Sequence, residues 1–153
     1  MRNVELQVYA GGADASTIYA LLSDFREYPR LTSAVRSVAI EHESADESVS
    51  TWEVNFREGI LRWTERDRFD DGRRSIEFVQ LEGDMELFDG SWQVTEGTGG
   101  CAIRFQARLD LGIPTLADLL EPIAESALRE NIALIIDGIL AAAADRAPAL
   151  AVS

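Results

Sequence analysis

At the start of the chain Val4, Leu6 and Val8 alternate with Glu5, Gln7 and Tyr9, a period of two that predicts a half-buried strand. Gly11-Gly12 then turns the chain. Asp14 or Ser16 is placed to cap a helix whose apolar positions Ile18, Leu21 and Leu22 recur at helical spacing. A second short helical turn is expected over Phe25–Tyr28, stopping at Pro29, because the residue before a proline is biased away from helix. From residue 34 to 111 the pattern reads as six strands, at about 34–43, 49–57, 60–69, 74–82, 86–95 and 101–111. Their connections, Glu58-Gly59, Asp70-Asp71-Gly72, Glu82-Gly83-Asp84 and Gly97-Thr98-Gly99-Gly100, are short and rich in turn formers, which predicts consecutive antiparallel hairpins. After Pro114 the period lengthens to that of a helix. A short turn from Thr115 to Leu120 leads to Pro122, which suits the first position of a helix better than its interior. That helix is expected to run to about Arg146, with Ile123, Ala127, Leu128, Leu134, Ile135 and Leu140 as its apolar stripe and Pro148 ending it.

The order is strand, two short helices, six antiparallel strands and a long C-terminal helix. An α+β fold follows, with a curved seven-stranded antiparallel sheet wrapped around the long helix, since the helix stripe needs a concave apolar face and the sheet offers one. At 153 residues a chain buries roughly 70% of the surface it exposes when unfolded, enough for one good core. Residues 1–148 are therefore expected as a single cavity-bearing domain and 149–153 as a short disordered tail. The hydrophobic fraction of 46% and charged fraction of 27% are those of a foldable globular chain rather than a disordered acidic one.

Charge narrows the chemistry. The chain carries 27 acidic residues against 14 basic ones, a formal net charge of -13, which repels nucleic acid and anionic membranes in the absence of a basic patch. No basic run is longer than Arg73-Arg74, and every basic residue is Arg. Lysine Schiff bases, P-loop lysines and lysine general bases are thus excluded, whereas Arg orients or polarises oxygen atoms. Cys101 is alone, no CxxC or HExxH pair offers a zinc site, and no cofactor or metal is implied. Cys101 with His42 as a nucleophile pair lacks any supporting motif. The N-terminus reads as too polar for a signal peptide, and the apolar run from Ile132 to Ala144 is broken by Asp137 and too short to span a bilayer. A cytoplasmic monomer or homodimer without a membrane span is the expectation.

Strand parity suggests what lines the concave face. Trp52, Val54 and Phe56 share one side of their strand, and Ile76, Phe78 and Gln80 one side of theirs. On the strand between them Leu61, Trp63 and Phe69 share a parity with Glu65 and Asp67. Two carboxylates on an inward apolar face are costly unless hydrogen-bonded, protonated or in use. Two readings stay open. In one, Glu65 or Asp67 is a general acid or base with an elevated pKa, working beside a carbonyl. In the other, a bulge rotates the strand or the pair sits at a wet mouth, bridged to Arg62, Arg66, Arg68 or Arg36. Arg36 shares the parity of Val38 and Ile40 and is the best cavity arginine available without a bulge. Tyr28, beside a proline turn, is placed to donate its hydroxyl at the entrance or to pack as a lid. Asn131 interrupts the helix stripe near Ile135 and reads as a ligand contact or a satisfied core amide, and Trp92 as core or ligand contact.

Three segments, Phe25-Arg26-Glu27-Tyr28-Pro29, Leu61-Arg62-Trp63-Thr64-Glu65-Arg66 and Leu87-Phe88-Asp89-Gly90-Ser91-Trp92-Gln93-Val94, together with the order of elements, resemble the START-like (SRPBCC) superfamily in its polyketide cyclase/dehydrase branch. The resemblance implies the helix-grip fold, also seen in Bet v 1-like proteins and in ubiquinone-binding relatives of the Coq10 kind. It implies an internal cavity for a hydrophobic poly-carbonyl molecule and cyclisation by aldol-type or dehydration chemistry, with a non-catalytic carrier of a lipid, quinone or secondary metabolite as the alternative. Aromatase-type members place an Arg in the cavity on the same face as the Trp. Arg66 has the opposite parity to Trp63 and takes that role only across a bulge. Natural polyketides travel on acyl carrier proteins, which are acidic, so a contact through Arg26 and Arg30 or a freely diffusing substrate is implied.

Overall fold

A computed structural model describes residues 1–57, 59–112 and 117–146. The chain forms β1 (Arg2–Gly11), α1 (Ala15–Ser23), a 3-10 turn (Phe25–Glu27), α2 (Tyr28–Leu31), β2 (Val35–Glu43), β3 (Glu47–Phe56), β4 (Gly59–Asp70), β5 (Ser75–Gly83), β6 (Leu87–Gly97), β7 (Gly100–Asp110) and α3 (Ala117–Arg146). The seven strands make one antiparallel sheet in the order β1-β7-β6-β5-β4-β3-β2. Six successive hairpin-linked strands generate that order directly, and β1 closes against β7. One face of the sheet meets α1, α2 and α3. Ile18, Leu22, Ile136, Ile139, Ile103 and Phe105 meet in the core, each at most 1% exposed. This is the helix-grip fold.

Two prolines behave differently from expectation. Pro29 does not stop the helical turn; it sits in the first turn of α2, where a missing N–H costs nothing because that donor has no intrahelical acceptor. Pro122 does not open α3 but lies inside it. The additional first turn carries Glu121, which is buried and accepts from the amino group of Met1 at 2.7 Å, a tertiary contact that offsets the backbone bond proline forfeits. The expected turn at Thr115, the helix stop at Pro148, the tail at 149–153 and Glu58 lie outside the described residues. Asp14 caps α1 as expected, its carboxylate accepting from the Thr17 N–H at 2.9 Å.

Two irregularities decide which side chains face the helix. On β2 the register slips between Val35 and Ser37, so Val35 and Val38 both point inward while Arg36 takes the bulge. On β5, Thr64 pairs with Glu82 but Glu65 pairs with Gln80, leaving Leu81 as the extra residue. Because the bulge falls on β5, β4 runs straight against β3 from Glu47↔Arg68 to Phe56↔Gly59 and keeps strict alternation. Gly83 then comes so near to β4 that a Cβ on it would lie 2.5 Å from the Cβ of Trp63. Only glycine fits there.

Candidate functional site

Between the sheet and α3 lies a cavity lined by Phe25, Tyr28, Trp52, Val54, Trp63, Glu65, Ile76, Phe78, Phe88, Trp92, Phe105, Leu128, Asn131, Ile132 and Ile135. It encloses about 540 Å³ of empty space, its open mouth included, of which the centre of a water molecule can occupy about 60 Å³. That is several times the roughly 10–15 Å³ that holds one water. The walls are aromatic: Phe25 meets Tyr28, Trp52 and Phe69 at centroid distances of 5.1–5.5 Å, and Trp63 meets Phe88 edge-on at 5.4 Å. Glu65 is the ionisable carboxyl in this wall.

Straight alternation on β4 puts Trp63, Glu65 and Asp67 on the inner face. Glu65 is 4% exposed and Asp67 0%. The indole N–H of Trp63 donates to Glu65 Oε1 at 2.7 Å. Behind Glu65, and outside the cavity lining, Asp67 Oδ2 accepts from Ser48 at 3.0 Å and from Ser50 at 2.5 Å. Ser50 in turn accepts from the Trp52 indole N–H at 2.9 Å. Glu65 and Asp67 are within hydrogen-bonding reach of each other, while Asp67 Oδ1 is buried with no N–H or hydroxyl donor. A proton held between the two carboxyls satisfies that oxygen, since a protonated carboxyl is a donor. Burial, and then the bond to Asp67 and its charge, push Glu65 well above the usual carboxylate range. Burial also raises Asp67, opposed by hydrogen bonds from Glu65, Ser50 and Ser48. Of the two, Glu65 is the member pushed further toward its protonated form, and Asp67, braced by Ser48 and Ser50, is raised less.

The arginines lie elsewhere, which corrects two expectations. Arg36 is exposed and donates to Asn55 Oδ1 at 3.3 Å, because the β2 bulge turns it off the inner face. Arg66 is exposed on the outer face of β4, since no bulge on that strand reverses its parity relative to Trp63. Arg62 pairs with Glu53 at 2.6 Å and Arg68 with Glu47 at 3.5 Å, so the carboxyl pair is bridged by serine and indole rather than by guanidinium. Arg26 and Arg30 are bound to Glu43 at 3.1 Å and Glu27 at 2.7 Å.

The remaining residues divide. Trp52, Phe78, Trp92 and Ile135 line the cavity and are buried; Asn131 lines it half-buried, with its amide donating to the Asn55 carbonyl at 2.7 Å. Tyr28 contributes its ring, but its hydroxyl is spent on the Leu22 carbonyl and is not offered at an entrance. Burial holds that phenol well above its ordinary pKa. Gln80 points toward the inner face opposite Glu65, yet its amide donates to the Met85 carbonyl at 2.7 Å and it is not part of the lining. Phe56 lines a second, neighbouring cavity. Cys101 is buried on β7 and His42 exposed on the edge strand β2, with four strands between them. Ser48 and Ser50 were not singled out from sequence. Both share the parity of Trp52, and small polar residues on an inward face were the available signal, readable only once the register against Glu65 and Asp67 is known.

An apolar chamber gripped between a curved sheet and a long helix, with a polar group buried in its wall, defines a ligand-cavity protein. The chain belongs to the polyketide cyclase/dehydrase and lipid transport family, whose model matches residues 12–135. No curated protein sequence matches it. Among solved structures it is similar to TTHA0849 from Thermus thermophilus, at 22% identity over 91% of this chain and 94% of that one, with a TM-score of 0.84. It is also similar to the ZhuI aromatase/cyclase from Streptomyces sp. R1128, at 21% identity over 95% of each chain, TM-score 0.83. A START superfamily protein from Mycobacterium smegmatis matches at 16% identity over 90% and 96%, TM-score 0.75. At these identities the likenesses establish the fold. The family gives the coarse role, a cyclase or a binder of hydrophobic small molecules, and among the described residues no helix is long and apolar enough to cross a membrane.

Proposed function

We propose that this protein is a cyclase for a hydrophobic poly-carbonyl molecule, with Glu65 as its acid and base. The observation that carries the reading is a buried carboxyl pair, Glu65–Asp67, presented at a single point of an aromatic cavity, and on this reading the pair shares one proton. When the shared proton sits on Asp67, Glu65 faces the ligand as a carboxylate in apolar surroundings, where its basicity is high. It takes a proton from a carbon beside a ligand carbonyl, and the electron pair left behind moves onto that carbonyl oxygen as an enolate. The enolate carbon bonds to a second carbonyl carbon of the same chain, whose oxygen gains the charge. Glu65 returns its proton to that oxygen, and the pair again holds one proton. Loss of water follows if a second proton is taken from the adjacent carbon and the hydroxyl leaves with the proton that Glu65 supplies. Holding a flexible chain in a near-attack fold supplies much of the acceleration, through proximity. Asp67 acts through Glu65 as a positioning residue, with Ser48 and Ser50 fixing it. Because Arg26 and Arg30 are already paired with acids, the reading favours a freely diffusing substrate over one presented by an acyl carrier protein.

Incubation with a reactive linear poly-β-ketone tests this, with products resolved by chromatography. The expected result is a changed ring pattern and faster ring closure than in buffer, with Glu65→Gln losing about 100-fold or more of the rate. A product distribution equal to that in buffer would refute catalysis. The apolar lining of the cavity apart from Glu65 and Asn131 favours the carrier as second reading, in which a stoichiometric unmodified ligand is found by mass spectrometry of the native protein.

A further inference from the structure

Beside the cavity just described lies another, smaller one, lined by Phe56, Leu61, Met85, Leu109, Leu111 and Ala124 together with a shared wall of Trp63, Phe88 and Leu128. It encloses about 310 Å³ of empty space, its open mouth included, of which the centre of a water molecule can occupy about 20 Å³, and no polar side chain lines it. A chamber with no hydrogen-bonding group in its walls suits hydrocarbon and disfavours water. The front cavity alone, at about 60 Å³ for the centre of a water molecule, holds little more than a few waters. Trp63, Phe88 and Leu128 border both, and one of these, Trp63, also donates its indole N–H to Glu65 Oε1.

We propose that the rear chamber is a binding site for the alkyl or aryl tail of the ligand whose carbonyl meets Glu65, with Trp63 as the movable partition between head and tail. The inference rests on reading the front cavity as the ligand site. It adds a ligand class, a molecule with a carbonyl head and a hydrocarbon tail, and a coupling between the two ends. A tail that enters the rear chamber displaces the Trp63 ring, which removes the indole N–H from Glu65 Oε1. That oxygen is thereby released as the tail seats. Two features make Trp63 the element that moves. It borders both chambers, and of the three side chains that do so it is the one bonded to Glu65.

Alkyl phenyl ketones from acetophenone to decanophenone, titrated into the protein by calorimetry, test the proposal without relying on turnover. Affinity is expected to rise about fourfold per added methylene until the rear chamber is full. Ala124 lines the rear chamber alone, so Ala124→Leu should lower the ratio of long-ketone to acetophenone affinity by roughly tenfold. Trp63→Phe thins the partition and opens space between the chambers, so it should raise the same ratio, which keeps the test open if the Leu variant does not fold. A ratio unchanged in the variants, or affinity independent of chain length, would overturn the rear-chamber assignment while leaving the Glu65 reading standing. Failure of every ketone to bind would instead remove the front cavity as the ligand site, and this inference with it.

Discussion

Ser50→Ala isolates the network under Glu65, because Ser50 is fully buried and makes two hydrogen bonds with no backbone role in either. The substitution removes a charge-assisted bond at 2.5 Å to Asp67 Oδ2 and strands the Trp52 indole N–H. A hydrogen bond to a charged group contributes about 1.5–3 kcal/mol and a stranded buried donor costs about 1–3 kcal/mol. The two share one oxygen, so the expected loss is about 3–4 kcal/mol, well above the roughly 1 kcal/mol of an average substitution. The loss should also depend on pH. The Ser50 bond holds the folded pKa of Asp67 down; without it the folded state binds more protons than the wild-type folded state, and the deficit widens as pH rises through the titration of the pair. Urea unfolding at about pH 5 and about pH 8 reads both quantities. A loss below about 1 kcal/mol, or one that shrinks as pH rises, would refute a charged Asp67 held by Ser50.

Three further outcomes follow. Both carboxyls titrate above their usual range in the folded chain, so stability is expected to fall as pH rises from the ordinary carboxylate range toward their folded pKa values. Glu65→Gln should flatten that fall in a pH series of thermal melts. Gly83→Ala must push β5 away from Trp63 and should cost about 1–3 kcal/mol in urea unfolding, together with a weaker response to ketone chain length. Ile139→Ala, at the fully buried centre of α3, should cost about 2–5 kcal/mol without moving the pH profile, which separates core loss from loss of the carboxyl network.

Element order was legible because each strand carries its own alternation and each turn its own Gly or Asp, and the seven-stranded sheet followed from hairpin lengths alone. Pro29 and Pro122 misled because local bias is a preference of the isolated chain, and α2 and α3 are held by packing and by Glu121. Strand parity found Glu65 and Asp67 facing inward, since no bulge interrupts β4. The same rule failed for Arg36, where one extra residue on β2 inverts the face, and a bulge leaves no sure mark in a single strand's sequence. Tyr28 was recognisable as an aromatic at the cavity, but the acceptor of its hydroxyl, the Leu22 carbonyl, is a matter of backbone geometry. Ser48 and Ser50 needed the pairing register between β3 and β4 before their parity meant anything. What the excess of acid in the composition concealed was that two of its members are buried side by side in the core.

The claim on which the function rests is that Glu65 keeps its proton in the cavity wall at neutral pH. Infrared difference spectroscopy of protein with carbon-13-labelled glutamate side chains measures it, because a protonated carboxyl absorbs apart from a carboxylate. One protonated glutamate band is expected near pH 7, lost in Glu65→Gln and shifted when an alkyl phenyl ketone binds. A spectrum with every glutamate ionised at that pH would contradict it.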